Sequence, residues 1–153
     1  MIQVFDFFAG CGGTSKGFEM AGCNVVFALD NNLDATLTFK NNFPNTTVLN
    51  KDIIKVKIQE IKQLVDVCID QPLLFCGCAP CQPFTKQKTM QKNEDDRIQL
   101  LSEFQRFVKA FKPQYVFVEN VPGMQKRVFQ SSPFKTFVNF LRNNGYSYEF
   151  KVI

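Results

Sequence analysis

The sequence predicts an α/β fold with a mainly parallel sheet, on three observations. Short runs rich in β-branched and aromatic residues alternate with stretches of helical periodicity along the whole chain. One run, Leu73-Leu74-Phe75-Cys76, is apolar throughout, as a parallel strand buried on both faces must be. Glycines and polar residues gather just after the apolar runs, at Gly10 to Gly13, Asp30, Asp52, Cys81 and Glu119. In a parallel sheet those strand ends share one edge, which is where ligands bind in open α/β sheets.

Residues 2–8, apolar apart from Gln3 and Asp6, predict the first strand. Ala9-Gly10-Cys11-Gly12-Gly13-Thr14-Ser15 is a tight glycine turn, and a helix over 16–21 follows, with Gly22 at its end. Residues 25–29 predict a second strand, ending at Asp30. Asn32 is placed to cap a helix that runs to Asn42 and stops before Pro44. A short strand near Val48-Leu49 ends at Asp52, and Ile54, Ile58, Ile61, Leu64 and Val65 then recur at helical spacing. Residues 73–76 form the fourth strand. After Thr85 the chain is polar to about Asp96, which predicts a mobile surface loop beside a site. Residues 97–111 carry Leu100, Leu101, Phe104, Phe107, Val108 and Phe111 on one helical face, and Pro113 ends that helix. Residues 115–118 predict a fifth strand running into Glu119-Asn120, residues 133–142 a helix closed near Gly145, and residues 146–153 a sixth strand.

A chain of 153 residues with 45% hydrophobic and 21% charged residues suits one domain with a real core. The net charge of +4 permits a polyanionic partner, and a Lys-rich solvated surface accounts for it equally well. Asp6 interrupts the N-terminal apolar run before a secretory signal core forms, and no run approaches the length of a membrane span. The six cysteines are therefore expected to be reduced and the protein intracellular.

Cys81 sits where a buried strand opens, with Pro80 and Pro83 stiffening the backbone around it. It reads as a small buried hydrophobe, as a nucleophile, or, with Cys76 and Cys78, as part of a metal site. Histidine is absent from the chain, so a Cys-His hydrolase cannot be built here. The glycine turn fits a nucleotide-binding pattern, but Ser15 stands where the dinucleotide fingerprint wants a third glycine. Asp6 just before the turn disfavours a pyrophosphate and suits a cationic ligand, which shifts the reading from NAD toward S-adenosylmethionine. Asp30 would then accept from the ribose hydroxyls and Asp52 from the adenine amino group. Either aspartate reads equally well as a turn or helix cap.

In combination these stretches are specific. Asp6-Phe7-Phe8-Ala9-Gly10-Cys11-Gly12-Gly13, Asp30, Asp52-Ile53, Pro80-Cys81-Gln82-Pro83-Phe84-Thr85 and Glu119-Asn120-Val121 resemble, in order and spacing, the cytosine-5 DNA methyltransferases over essentially all of residues 2–153. The resemblance implies a Rossmann-like S-adenosylmethionine-dependent methyltransferase fold and a role in DNA methylation of the restriction–modification kind. It implies that Phe8 stacks near the adenine, that Ala9, Gly10, Cys11, Gly12, Gly13 and Thr14 line the methionine end, and that Asp30 binds the ribose. Asn31 stands where a large residue often packs the adenine, Asp52 and Ile53 would contact the base, and Leu100 would border the pocket.

The same resemblance implies a thiolate at Cys81, between Pro80 and Gln82, adding to C6 of a flipped-out cytosine in double-stranded DNA. Glu119, followed by Asn120, would hydrogen-bond N3 and the exocyclic amine; such a carboxyl should have a raised pKa, which burial at a strand end can provide. Gln82 and the loop 86–96 would touch DNA phosphates as that loop closes.

Members of the family continue with an Arg-bearing strand, a target-recognition domain and a returning helix, so the sheet is expected to be incomplete on its C-terminal side. Residues 1–153 are expected to form a single cofactor-binding and catalytic domain: a fragment, one subunit of a split enzyme, or a decayed gene product, inactive alone. Three alternatives stay open: a tRNA cytosine methyltransferase of the same fold, an NAD-dependent oxidoreductase, and a non-catalytic partner subunit.

Overall fold

β1 (Gln3–Phe7) is the middle strand of a parallel sheet in the computed structural model, which describes residues 1–78, 92–119, 133–149 and 151. It pairs with β2 (Asn24–Asp30) on one side and β4 (Leu73–Gly77) on the other. β3 (Thr47–Asn50) flanks β2, and β5 (Tyr115–Phe117) flanks β4, giving the order β3-β2-β1-β4-β5 among the described residues. The chain steps outward from β1 to β3 and then returns to the far side of β1 to begin β4. The reversal puts a topological switch point between β1 and β4, and an open α/β sheet has its ligand crevice at the carboxyl ends of such a pair.

Strand alternation divides the sheet into two apolar faces. Phe5, Phe7, Phe27, Leu29, Leu73 and Phe75 point to one face, where they meet Ile53, Val56, Ile61, Leu101, Phe104, Phe107 and Phe137. Those partners come from a 3₁₀ turn (Ile53–Lys55), from Val56 just after it, and from α3 (Ile58–Leu64), α4 (Lys92–Phe111) and α5 (Pro133–Asn143). Val4, Ala28, Leu74 and Cys76 point the other way, against Phe39 and Phe43. On that side lie α1 (Gly13–Met20) and α2 (Leu33–Asn42). The phenylalanine content explains the first core: Phe7 lies 5.4 Å from Phe104, 5.2 Å from Phe107 and 5.0 Å from Phe75, centroid to centroid. Tilted and edge-on ring pairs at such spacings add to simple area burial.

The two polar residues of β1 are buried for different reasons. Gln3 binds the segment ahead of β4, its Nε2 donating to the Cys68 carbonyl at 2.9 Å and its Oε1 accepting from the Cys68 N–H at 2.9 Å. Asp6 belongs to the site described below.

α2 follows the sequence closely. Asn32 caps it by accepting from the Ala35 N–H at 3.0 Å, and the helix ends at Asn42, ahead of Pro44. Asn32→Ala is expected to remove about 1 kcal/mol and to lower the melting temperature by about 2–4 °C in a scanning calorimeter.

Three expectations need correction. The helix expected from Ile54 to Val65 is split: Asp52 caps a single 3₁₀ turn, and α3 starts only at Ile58. Ile53 and Val56, three apart, both turn into the core there, and Arg106 Nη2 holds the segment by donating to the Val56 carbonyl at 2.9 Å. α4 begins at Lys92 rather than Arg97, so the last part of the expected polar loop is helical; residues 86–91 of that loop lie outside the described residues. Finally, residues 146–149 and 151 form no strand. Tyr146 hydroxyl donates to the Pro113 carbonyl, and Arg142 lies over the Tyr148 ring at 4.6 Å. A strand exists by its ladder, and no neighbouring strand pairs with this segment among the described residues.

Candidate functional site

The glycine turn is held to the sheet by backbone bonds. Phe8 and Ala9 both donate to the Leu29 carbonyl, at 2.9 and 3.0 Å, and Gly12 donates to Ala9 at 3.0 Å. Phe8 adopts φ 66, unusual for a bulky residue, and lies half-buried against the core. Gly12 has φ 96, and a Cβ there would lie 2.5 Å from Phe43 Cε2, so α2 packs directly on the bare backbone. At Gly10 and Gly13 an added Cβ would meet nothing within 4 Å. The turn is therefore tight on its inner side and open on its outer side. Cys11 and Gly13 are exposed, Thr14 is half-buried, and Ala9 is buried.

Asp30 is committed to this turn. Its Oδ2 accepts from the Gly10 N–H at 2.8 Å, and its Oδ1 accepts from the Asn32 N–H at 2.8 Å. The carboxylate thus links the glycine turn to the start of α2, and Asn31 between them is exposed. Asp52, half-buried, accepts from the Ile54 N–H at 3.0 Å. Ile53 is 3% exposed and packs in the aromatic core. Leu100 is half-buried on α4, against the same core.

At the switch point the ends of β1, β4 and β5 meet on one sulfur. Cys78 Sγ lies 3.7 Å from Thr14 Oγ1 and 3.7 Å from Cys76 Sγ, and the Glu119 backbone hydrogen-bonds to it. The Cys76 hydrogen bond is the main cause that holds the Cys78 thiol below its usual range, against partial burial, with Thr14 assisting. The Cys76 thiol is pushed up by the same hydrogen bond and by burial. Glu119 itself is exposed, so the burial expected of it is not supplied; Tyr115 and Phe117 of β5, an outer strand of the described sheet, are exposed too. Pro80, Cys81, Gln82 and Asn120 lie outside the described residues.

Beneath this junction Asp6 is fully buried, on the same sheet face as Val4 and Cys76. Its Oδ2 accepts from Ser15 Oγ at 2.6 Å, and its Oδ1 has no partner among the described residues. Desolvation pushes its carboxyl up to about 6, against the hydrogen bond from Ser15. The Asp6–Ser15 bond and the contacts of Cys76 and Cys78 were missed in the sequence. The usable signal was Cys-Gly-Cys at the exit of a buried strand, opposite a turn carrying Thr14 and Ser15.

Known proteins match the chain along its whole length. A family model described as C-5 cytosine-specific DNA methylase matches residues 2–153. The chain is 36% identical over 123 residues to the Type II methyltransferase M.DdeI of Desulfomicrobium norvegicum, covering 80% of this chain and 28% of that protein. It is 33% identical over 152 residues to M.MthTI of Methanothermobacter thermautotrophicus, covering 99% of this chain and 43% of that protein. Among solved structures, one described as a prophage-encoded DNA modification methyltransferase of E. coli superposes with a TM-score of 0.74 at 30% identity, over 94% of this chain and 38% of that one. The S. pombe Dnmt2 methyltransferase shares the fold, with a TM-score of 0.69 at 23% identity over 96% of this chain and 43% of that one. The chain thus spans less than half the length of the relatives it matches.

Proposed function

The chain belongs to the C-5 cytosine-specific DNA methylases, and from that premise we propose that it supplies the cofactor pocket and attacking thiol of a DNA cytosine-5 methyltransferase. The observation that supports this reading best is the meeting of Thr14, Cys78 and the Glu119 backbone at the switch point. It joins a glycine turn to the two strand ends that lead to Cys81 and carry Glu119.

The turn suits S-adenosylmethionine. Its open side is the bare backbone of Gly10 and Gly13, which leaves room for a ligand. The charged group bound to it is the Asp30 carboxylate, while Lys16 of α1 is paired with Glu19. An acid without a free base suits a sulfonium and an ammonium better than phosphates. Phe8, Ala9, Gly10, Cys11, Gly12, Gly13 and Thr14 would line the methionine and adenine ends, Asp30 would bind the ribose, Asn31 would stand beside the adenine, Asp52 and Ile53 would contact that base, and Leu100 would border the pocket. Bound there, S-adenosylmethionine would supply the electrophilic methyl group that C5 takes.

Cys81, held by Pro80 and followed by Gln82, would add as a thiolate to C6 of a cytosine flipped out of double-stranded DNA. Glu119, with Asn120 beside it, would hydrogen-bond N3 and the exocyclic amine, which relieves charge in the ring and makes C5 nucleophilic. Loss of the C5 proton then expels the Cys81 sulfur and restores the ring.

Because the relatives are more than twice as long, the activity is assigned to this chain together with the remaining part of the enzyme, as a further segment or a second subunit. Transfer of labelled methyl groups tests this, with and without that part, on double-stranded DNA and on tRNA. Transfer to DNA that needs the added part and disappears in Cys81→Ser is the expected result. Undiminished transfer by Cys81→Ser, or a preference for tRNA, would overturn the reading.

A further inference from the structure

We propose that Cys76 and Cys78 form a reversible disulfide at the exit of β4, with hydrogen peroxide as oxidant and Asp6 as the base that serves Cys76. The two sulfurs are already 3.7 Å apart, separated in sequence by Gly77 alone. Cys78 is half-buried and reachable, whereas Cys76 is fully buried, so the first encounter with an oxidant falls on Cys78. Asp6 and Cys76 are register partners on adjacent strands, and one oxygen of Asp6 is unoccupied among the described residues. That buried oxygen can accept the proton which the neighbouring Cys76 thiol must lose for the bridge to close.

The chemistry closes on these groups. The Cys78 thiolate attacks the peroxide O–O bond; a sulfenic acid forms and hydroxide leaves, taking up a proton as water. The Cys76 sulfur then attacks the Cys78 sulfur while its proton passes to Asp6. The sulfenic hydroxyl departs with that proton as a second water, and the S–S bond closes. Two electrons leave the two thiols and reduce one peroxide. The hydrogen bond from Cys76 favours the Cys78 thiolate, and Asp6 is largely ionised at neutral pH, which supports both roles. Closure must bring the sulfurs from 3.7 Å to about 2.0 Å within a three-residue loop. Such a strained bridge is readily reduced, so the pair would cycle rather than lock. It would also withdraw Cys78 from Thr14, and so disturb the turn across the switch point.

The proposal is independent of whether the chain binds S-adenosylmethionine, and its test is chemical. The purified full chain is treated with hydrogen peroxide and analysed by fragment-ion mass spectrometry. The expected product has lost two hydrogens between Cys76 and Cys78 and is restored by dithiothreitol. Cys78→Ser should abolish it. Cys76→Ser should stop at a sulfenic acid on Cys78, trapped by dimedone. Asp6→Asn should slow closure about a hundredfold, the low end of what a positioned base contributes, while the dimedone adduct accumulates. If Asp6→Asn proves unfolded by circular dichroism, Cys76→Ser decides the pair, and closure in the wild type decides the base: slower closure at pH 5 than at pH 7.5 is expected, and an equal rate overturns that role. A disulfide from Cys78 to Cys81 or Cys11, or no disulfide, would overturn the pair. Closure at the wild-type rate in folded Asp6→Asn would overturn the role of the base.

Discussion

Gly12→Ala should destabilise the chain by about 3 kcal/mol, from a left-handed backbone cost and a packing cost acting together. At φ 96 an alanine is strained whatever the space around it. The space is also taken: the new methyl would sit 2.5 Å from Phe43 Cε2 and 3.1 Å from Phe39 Cδ2. Neither ring can step aside, because the two are buried and stacked on each other with centroids 4.5 Å apart. Relief has to come from moving α2 off the turn, which would also strain the Asp30 bridge to Gly10. Urea denaturation measures the loss, and a midpoint equal to wild type would show that α2 does not pack on this turn. Gly13→Ala is the control, since its Cβ meets nothing within 4 Å and its φ is not positive. Its stability should stay within about 0.5 kcal/mol of wild type. If S-adenosylmethionine occupies the open side of the turn, the same alanine should weaken cofactor binding measured by calorimetry.

The two substitutions mark what was legible in the sequence. That a glycine turn follows β1 could be read from the residues. Which glycine is held by packing and which borders open space depends on Phe39 and Phe43, some thirty residues away. The same division runs through the fold. α2 was legible because its signals are local: Asn32 before it and Pro44 behind it. The first turns of α4 were not, because residues 92–96 have no apolar stripe for periodicity to detect. The segment 146–149 has alternating tyrosines but no strand to pair with among the described residues, and alternation alone does not make a ladder. At the site, Asp30 was legible as an acid at a strand end, although its carboxylate turns out to brace the glycine turn. Asp6 was read as a neighbour of the turn suited to a cationic ligand; instead it is buried behind the turn, bonded to Ser15 and in register with Cys76.

That burial makes stability depend on pH in an unusual direction. Desolvation raises the Asp6 carboxyl from 3.8 in its ordinary state to about 6 in the fold. Between those values the folded chain holds a proton that the unfolded chain has released. Stability contributed by this group therefore falls as pH rises through the window, and the full penalty of a buried charge is present above it. The total is about 3 kcal/mol, with roughly half expected between pH 5 and pH 7.5. Asp6→Asn keeps an oxygen for the Ser15 hydroxyl and removes the charge. It is expected to be more stable than wild type at pH 7.5 by about 2 kcal/mol, allowing for a weaker hydrogen bond to a neutral acceptor. The advantage should shrink toward pH 4 as folded wild-type Asp6 takes up a proton that the unfolded chain still mostly lacks. Chemical denaturation of the two proteins at pH 4.5, 6 and 7.5 separates this contribution from that of carboxylates away from the site, which are common to both. A stability difference that does not change across that range would mean that Asp6 is not held in the dry position beneath the turn. A difference that closes on acidification would show that the sheet carries a carboxylate at neutral pH which its own packing disfavours. Retention of such a group at a cost in stability fits a role in moving the proton of Cys76.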